Sequence, residues 1–130
     1  MIVVDASVMT RALLFDGELG ACARAELSTD EHWAAPEHWR VEVLSSMRGL
    51  LLGRKIGEPR AGQAIEALAA MAVVPVAITD LLGRMWELRC NVSAYDAAYV
   101  AAAELHDAPL LTADARLARV TGLRCQVRVV

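Results

Sequence analysis

Four of the 16 acidic residues stand at positions where a carboxylate could take part in chemistry, namely Asp5, Glu42, Asp96 and Asp114. Asp5 directly follows the β-branched run Ile2-Val3-Val4, and Asp114 comes just after an apolar run that ends at Thr112. Carboxylates held close together repel one another, so such a cluster requires protonation or a neutralising cation. Oxygen ligands suit a hard divalent cation such as Mg²⁺ or Mn²⁺, which can activate water against a phosphodiester.

Each of the four acids also has a purely structural interpretation. The segment Ser93-Ala94-Tyr95-Asp96 is similar to a helix capping box, and Asp114 could cap a short helix near the end of the chain. Asp5 could cap the helix that follows the first strand. Glu42, flanked by two valines, could pair with a nearby arginine or be exposed. The functional interpretation therefore depends on the four residues meeting at one place.

The elements that would bring them together alternate along the chain. Short apolar or β-branched runs predict strands at residues 2–4, 32–35, 73–78, 109–112 and 126–130, and the proline at position 75 places its strand at a sheet edge or makes it short. Apolar periodicity predicts helices at residues 7–15, 17–27, 37–52, 60–71, 81–88, 95–105 and 114–120. This alternation predicts one α/β domain over residues 1–130, with a mostly parallel sheet and helices on both faces. Functional groups of such sheets gather beyond the carboxyl ends of the strands.

Composition excludes several classes of protein. Hydrophobic residues make up 56% of the chain, which excludes intrinsic disorder, and the net charge of −3 argues against an overall basic nucleic-acid binder. The longest uncharged run, residues 67–79, is too short to span a membrane, and the first residues lack a signal-peptide pattern. The three cysteines have no disulfide or zinc spacing and are predicted to be buried free thiols, while the three histidines are predicted at the surface or in loops. These features predict a cytoplasmic protein.

Four motifs in order resemble the PIN-domain ribonucleases, and within them the VapC-type toxins of bacterial toxin–antitoxin pairs. The first is Ile2-Val3-Val4-Asp5-Ala6-Ser7-Val8, and the second runs from Pro36 to Leu44 and includes Glu42. The more specific pair is the YDAAYVAAAE run, which begins at Tyr95, followed by the LLTADARL run, which begins at Leu110. The resemblance covers nearly the whole chain.

The resemblance implies a three-layer α/β/α PIN-like fold and a Mg²⁺-dependent endoribonuclease, with Mn²⁺ as the alternative ion. The family's acidic quartet falls on Asp5, Glu42, Asp96 and Asp114, with Asp5 and Asp96 expected to make the most direct metal contacts. Ser7 and Thr112 match polar positions that support the quartet. Ser45, which stands where the family often has an asparagine, is expected to be a third supporting residue with a looser hydrogen bond. The expected products of hydrolysis by a metal-activated water carry 5′-phosphate and 3′-hydroxyl ends.

The partners implied are an RNA substrate and a cognate VapB-type antitoxin, with no membrane. Apolar helical stretches at residues 43–52 and 64–71 also favour a homodimer. Arginine suits phosphate contact and base stacking, and the arginines near the acids in sequence are the candidates for holding RNA. They are Arg11, Arg40, Arg48 and Arg116.

Three other kinds of protein fit parts of the pattern. A receiver-like phosphoacceptor needs an acidic pair after its first strand and a late lysine, but Ala6 follows Asp5 and the only lysine is Lys55. A phosphatase of the haloacid-dehalogenase type needs a second aspartate where this chain has Ser7. A non-catalytic PIN-like interaction module remains open, and metal-dependent cleavage of RNA distinguishes it from the ribonuclease.

Overall fold

A five-stranded parallel sheet forms the centre of the computed structural model, which describes residues 1–130. The strands are β1 (Ile2–Val4), β2 (Trp33–Pro36), β3 (Val74–Val76), β4 (Leu110–Thr112) and β5 (Val127–Val129). Their order across the sheet is β3-β2-β1-β4-β5, and every pairing is parallel. After β1 the chain adds β2 and β3 on one side of it, and then β4 and β5 on the other side. The strand order therefore reverses between β1 and β4.

Six helices cover the two faces of this sheet. They are α1 (Ala6–Leu14), α2 (Glu18–Leu27), α3 (Trp39–Leu52), α4 (Glu58–Ala70), α5 (Ile78–Glu87) and α6 (Ala94–Leu105). Helix α1 packs against α2, α3 and α4, whereas α6 packs against α5 and against β1, β2 and β4. Right-handed crossovers that run in opposite directions along a sheet place their helices on opposite faces. The predicted three-layer α/β/α architecture with a parallel sheet is therefore confirmed.

The core is built around β1, β4 and α6. All three residues of β1 and of β4 are buried, as a strand covered on both faces requires. Seven consecutive residues of α6, from Ala97 to Ala103, are also buried, because their side chains are mostly methyl groups and the helix can approach the sheet closely. Helix α6 therefore carries Asp96, in its first turn, on a rigid support.

Two element predictions need correction. The predicted helix at residues 114–120 is only a 3₁₀ turn, Leu117–Arg119, because the Asp114 carboxylate accepts a hydrogen bond from the backbone N–H of Arg116 and competes with a helical start. The helix predicted from residue 37 begins only at Trp39, because Pro36 ends β2 in register with Val76 and a turn follows it. Pro75 lies on the edge strand β3, as predicted.

The predicted burial of the thiols is wrong for two of the three cysteines. Cys22 and Cys90 are exposed, and Cys125 is half-buried. All three are free, as predicted. None of the helices is long and apolar enough to cross a membrane.

An ion pair joins α5, α6 and the segment before β5. The guanidinium of Arg84 donates to both carboxylate oxygens of Glu104, over 2.6 and 3.1 Å, and also to the carbonyl oxygen of Gly122. The backbone N–H of Arg124 donates to the same carboxylate. The side chain of Glu104 is only 9% exposed, so burial alone would raise its pKa. The hydrogen bonds from Arg84 and Arg124 outweigh this effect and hold the pKa of Glu104 below its usual range.

We expect Glu104→Gln to lower the free energy of unfolding by about 2 kcal/mol at pH 7, because the charge-assisted hydrogen bonds to Arg84 become neutral ones. A carboxylate with a lowered native pKa stabilises the fold above its unfolded pKa, and this stabilisation is lost as the pH falls through the native value. The difference between variant and wild type should therefore shrink below about pH 4.3. Urea unfolding at pH 7 and pH 3 measures it, with exposed Glu66→Gln as the control. A difference that is the same at both pH values would contradict this account of Glu104.

Candidate active site at the carboxyl ends of the strands

The four acids singled out in the sequence come together at the carboxyl edge of the sheet. Asp5 follows β1, Asp114 lies two residues beyond β4, and Asp96 and Glu42 lie in the first turns of α6 and α3. Burial raises the pKa of Asp96, and the charges of Asp5 and Asp114 raise it further against the opposing influence of Ser93 and Arg116. The carboxylates are therefore close enough to repel one another.

Asp5 is the most constrained of the four. It is the N-cap of α1, where its Oδ1 accepts from the backbone N–H of Ser7 over 2.9 Å. Its Oδ2 accepts from the Oγ1 hydroxyl of Thr112 over 2.7 Å, and the residue is only 8% exposed. The carboxylate of Asp5 therefore has both the capping role and the predicted functional role. The capping hydrogen bond fixes its orientation.

Thr112 and Ser7 connect the ends of β1 and β4. Besides donating to Asp5, the Thr112 hydroxyl accepts from the backbone N–H of Asp114 over 3.1 Å. The Ser7 hydroxyl accepts from the backbone N–H of Ala113 over 3.0 Å. Both residues therefore contact the acidic edge in the supporting manner that the resemblance implies.

Glu42 is held by two aromatic residues that the sequence analysis did not identify as partners. The Tyr99 hydroxyl donates to Glu42 Oε2 over 2.7 Å, and His38 Nε2 lies 3.4 Å from Glu42 Oε1. Burial raises the pKa of Glu42, as do the charges of Asp5 and Asp96, while Tyr99 and His38 act in the opposite direction. Burial and the adjacent Glu42 raise the pKa of Tyr99, so its hydroxyl stays protonated and remains a donor.

Helical spacing in the sequence could have indicated these two residues as neighbours of the acids. Tyr99 follows Asp96 by three residues on α6, and His38 precedes Glu42 by four at the start of α3, so each lies on the same side of its helix as the acid. His38 lies in the turn between β2 and α3, in agreement with its prediction as a surface or loop residue, and it is half-buried against the rings of Tyr95 and Tyr99.

Asp114 is paired with an arginine two residues away. The guanidinium of Arg116 donates to both oxygens of the carboxylate, with Nη2 2.8 Å from Oδ2 and Nε 3.0 Å from Oδ1. This contact lowers the pKa of Asp114. The Arg116 side chain is 89% exposed and places a positive charge at the acidic edge, which is the predicted site of RNA binding.

Of the other candidate residues, Arg40 and Arg11 form hydrogen bonds within the fold, whereas Arg48 and Ser45 are exposed. Arg40 donates to the carbonyl oxygens of Leu68 and Met71 and lies 4.4 Å over the ring of Trp39, so it joins α3 to the end of α4, and its contact with RNA stays a prediction. Arg11 donates to the carbonyl oxygen of Val130. Two candidates on α3 are exposed, Arg48 and Ser45, and no hydrogen bond joins Ser45 to any of the four acids, contrary to its predicted supporting role.

The donor set at this edge has the chemistry that a hard divalent cation prefers. All four groups are carboxylates, and burial, with a further contribution from the neighbouring acids, raises the pKa of Glu42 and of Asp96, so a positive charge here would be favourable. In the arrangement observed, no three of these side chains converge on one point as a metal-binding group. Asp114 in particular is turned to Arg116, so joint coordination would require that exposed ion pair to open.

Comparison with known proteins finds a matching family and relatives that cover the whole chain. A family model described as "PIN domain" matches residues 2–123. Ribonuclease VapC9 of Mycobacterium tuberculosis is 38% identical over 130 residues, which cover 100% of this chain and 98% of that protein. Ribonuclease VapC1 of the same organism is 36% identical over 135 residues, covering 98% and 96%.

Solved structures share the fold at lower sequence identity. The toxin–antitoxin complex from Klebsiella pneumoniae contains a chain that superposes with a TM-score of 0.69 at 22% identity, covering 99% of this chain and 97% of that one. The crystal structure of Mycobacterium tuberculosis VapC20, described as a sarcin-ricin loop cleaving toxin, gives a TM-score of 0.69 at 18% identity, with coverage of 95% and 96%.

We expect Asp96→Asn to stabilise the metal-free protein at pH 7 by about 1 kcal/mol. A carboxylate with a raised native pKa favours the fold only below its unfolded pKa, and this contribution is lost as the pH rises through the native value. Ionised Asp96 is therefore destabilising at neutral pH, and the amide removes its charge.

Thermal unfolding in EDTA at pH 7 and pH 4 measures this effect, and the gain should shrink at the lower pH. Asp80→Asn is the matched control, because Asp80 lies in the first turn of α5 but is exposed. Equal effects of the two substitutions would contradict the repulsion inferred at Asp96.

Proposed function

The chain belongs to the PIN-domain family, and within it to the VapC ribonucleases, and we propose that its four clustered carboxylates carry out Mg²⁺-dependent hydrolysis of RNA. Dependence on a divalent metal is general in this family, and Mg²⁺, with Mn²⁺ as the alternative, is our specific proposal. The observation that carries the proposal is the meeting of Asp5, Glu42, Asp96 and Asp114 at one edge of the sheet. We treat residues 1–130 as a single PIN domain that acts as the toxin of a toxin–antitoxin pair in the cytoplasm, where RNA is available.

The residues of the acidic edge have different roles in this proposal. Asp5 and Asp96 would hold the cation most directly, with Glu42 and Asp114 completing the set or holding its waters. Thr112 and Ser7 fix the orientation of Asp5 from two sides, and Tyr99 fixes that of Glu42. The chemistry that a divalent cation supplies when bound is an activated water and stabilisation of charge on the phosphodiester.

Arg116 is the arginine best placed to bind the substrate. Its guanidinium already binds a carboxylate through two parallel hydrogen bonds, and a phosphate presents the same geometry. A transfer of Arg116 from Asp114 to an RNA phosphate would release Asp114 for the metal and hold the substrate at the same edge. Arg11, Arg40 and Arg48 remain predictions as weaker RNA contacts.

We propose a VapB-type antitoxin as the protein partner. The solved toxin–antitoxin complex from Klebsiella pneumoniae shares this fold, and the family places the chain among toxins. An apolar hollow of about 450 Å³ lies between α3 and α4, lined by Leu44, Met47, Leu51 and Ile65 among others. Leu44 and Ile65 are exposed at its rim, which suits a hydrophobic segment of the antitoxin.

Asp5→Asn is expected to reduce RNA cleavage by roughly 100-fold or more, in line with the loss of a group that stabilises transition-state charge. Asparagine caps helices as well as aspartate does, so the variant should stay folded. Wild-type protein with Mg²⁺ should leave 5′-phosphate and 3′-hydroxyl ends, which end-specific labelling identifies. Asp80→Asn serves as the control and should cleave normally.

Two results would contradict the proposed reaction. Unchanged cleavage by Asp5→Asn would remove Asp5 from the site, and 2′,3′-cyclic phosphate ends would require attack by the ribose 2′-hydroxyl in place of water. Complete absence of metal-dependent cleavage would favour the non-catalytic PIN-like module.

We also predict a homodimer. The apolar stretch of α3 ends at Leu52, which is 64% exposed in the single chain and lines neither the antitoxin hollow nor the acidic edge. Light scattering coupled to gel filtration should give about twice the chain mass of 14.0 kDa at micromolar concentration. A species at the mass of one chain would contradict the dimer.

A further inference from the structure

One aromatic ring at the acidic edge takes no part in the core. Tyr95 is 65% exposed and immediately precedes Asp96 in the first turn of α6. Consecutive Cα atoms are about 3.8 Å apart, so this ring is attached next to a proposed metal ligand. Its exposure contrasts with that of Tyr99, one turn later, which is buried and hydrogen-bonded to Glu42.

The ring of Tyr95 forms part of the wall of an open hollow. The hollow has a volume of about 480 Å³, and its lining includes Ser7, Val41, Glu42 and Ser45 besides Tyr95. One part of this lining is therefore a carboxylate of the acidic edge, and another is an aromatic surface. A nucleotide has the same two chemistries, because its phosphate is drawn to a metal-bound acidic site and its base stacks on aromatic rings.

His38 holds the tyrosine ring in place. The ring centroids of His38 and Tyr95 are 5.8 Å apart, with planes inclined by 62°, and His38 makes a similar edge contact with Tyr99 at 5.4 Å. The buried Nε2 of His38 lies 3.4 Å from Glu42 Oε1 but does not form a hydrogen bond with it or with any other group. A row of three rings thus runs from buried Tyr99 through half-buried His38 to exposed Tyr95.

We propose that Tyr95 stacks on the base of a nucleotide next to the cleaved phosphate. This inference rests on the proposed function and specifies its substrate. A base inside a duplex is already stacked on its neighbours, so the tyrosine selects single-stranded RNA or an unpaired loop. Stacking is tolerant of sequence, so this contact selects for an accessible base and not for its identity.

The test measures binding separately from cleavage. In the Asp5→Asn background with Mg²⁺, Tyr95→Ala should weaken binding of a fluorescein-labelled ten-nucleotide oligoadenylate by roughly 5- to 100-fold, the usual effect of losing one base–aromatic stack. Tyr95→Phe should bind like its parent, since the ring is retained. An oligomer of the same length with abasic ribose-phosphate units should bind Tyr95→Ala and its parent equally. Fluorescence anisotropy measures each of these five affinities.

Trp86→Ala is the matched control, because Trp86 is 69% exposed on α5, contacts Arg89 and does not line the hollow. It should leave the affinity for oligoadenylate unchanged. Equal weakening of both ligands by Tyr95→Ala, or no weakening of either, would overturn the stacking contact. Wild-type protein that cleaves no RNA would instead reject the proposed function, whatever these affinities show.

Discussion

The position of the acidic edge depends on a single buried hydroxyl. Thr112 Oγ1 donates to Asp5 and accepts from the backbone N–H of Asp114, so it fixes two acids that are far apart in the chain. It can do so because β1 and β4 are adjacent and parallel, with Val4 opposite Leu111 and the backbone N–H of Asp5 bonded to the Leu111 carbonyl. A shift of register by one residue would point the side chains of either strand to the opposite face and separate the acids.

Packing elsewhere in the fold holds the clustered carboxylates in place against their mutual repulsion. Asp96 and Glu42 have raised pKa values, which means that the fold holds charge where charge is unfavourable. Helix α6 tolerates this because its middle is buried against the sheet from Ala97 to Ala103, and α3 is tied to α4 by Arg40. Only Asp114 is relieved of the repulsion, by an exposed arginine that can move. The site is thus rigid at three acids and adjustable at the fourth.

The sequence predicted the features that depend on local pattern. β-branched runs located the strands, and the position of Asp5 and Asp114 after two of them identified the edge where chemistry would gather. The partners of the acids were harder to predict, because Tyr99 reaches Glu42 across 57 residues of sequence and only the packing of α6 near α3 makes that contact. The same limit applies to the arginines. Arg40 and Arg11 bind backbone carbonyls, and spacing along the chain carries no information about which carbonyls a fold leaves nearby.

The proline on β3 has a consequence for how the protein behaves in a crowded solution. A sheet edge offers unpaired backbone groups to any extended chain, and a sequence that is 56% hydrophobic carries an elevated risk of aggregation through such an edge. Pro75 has no N–H, and β3 is only three residues long. Proline is accepted on edge strands where its nitrogen faces away from the neighbouring strand, so the outer side of β3 lacks a donor at its centre. This border of the sheet is a poor template for strand addition, and it discourages the fold from growing into larger β-assemblies.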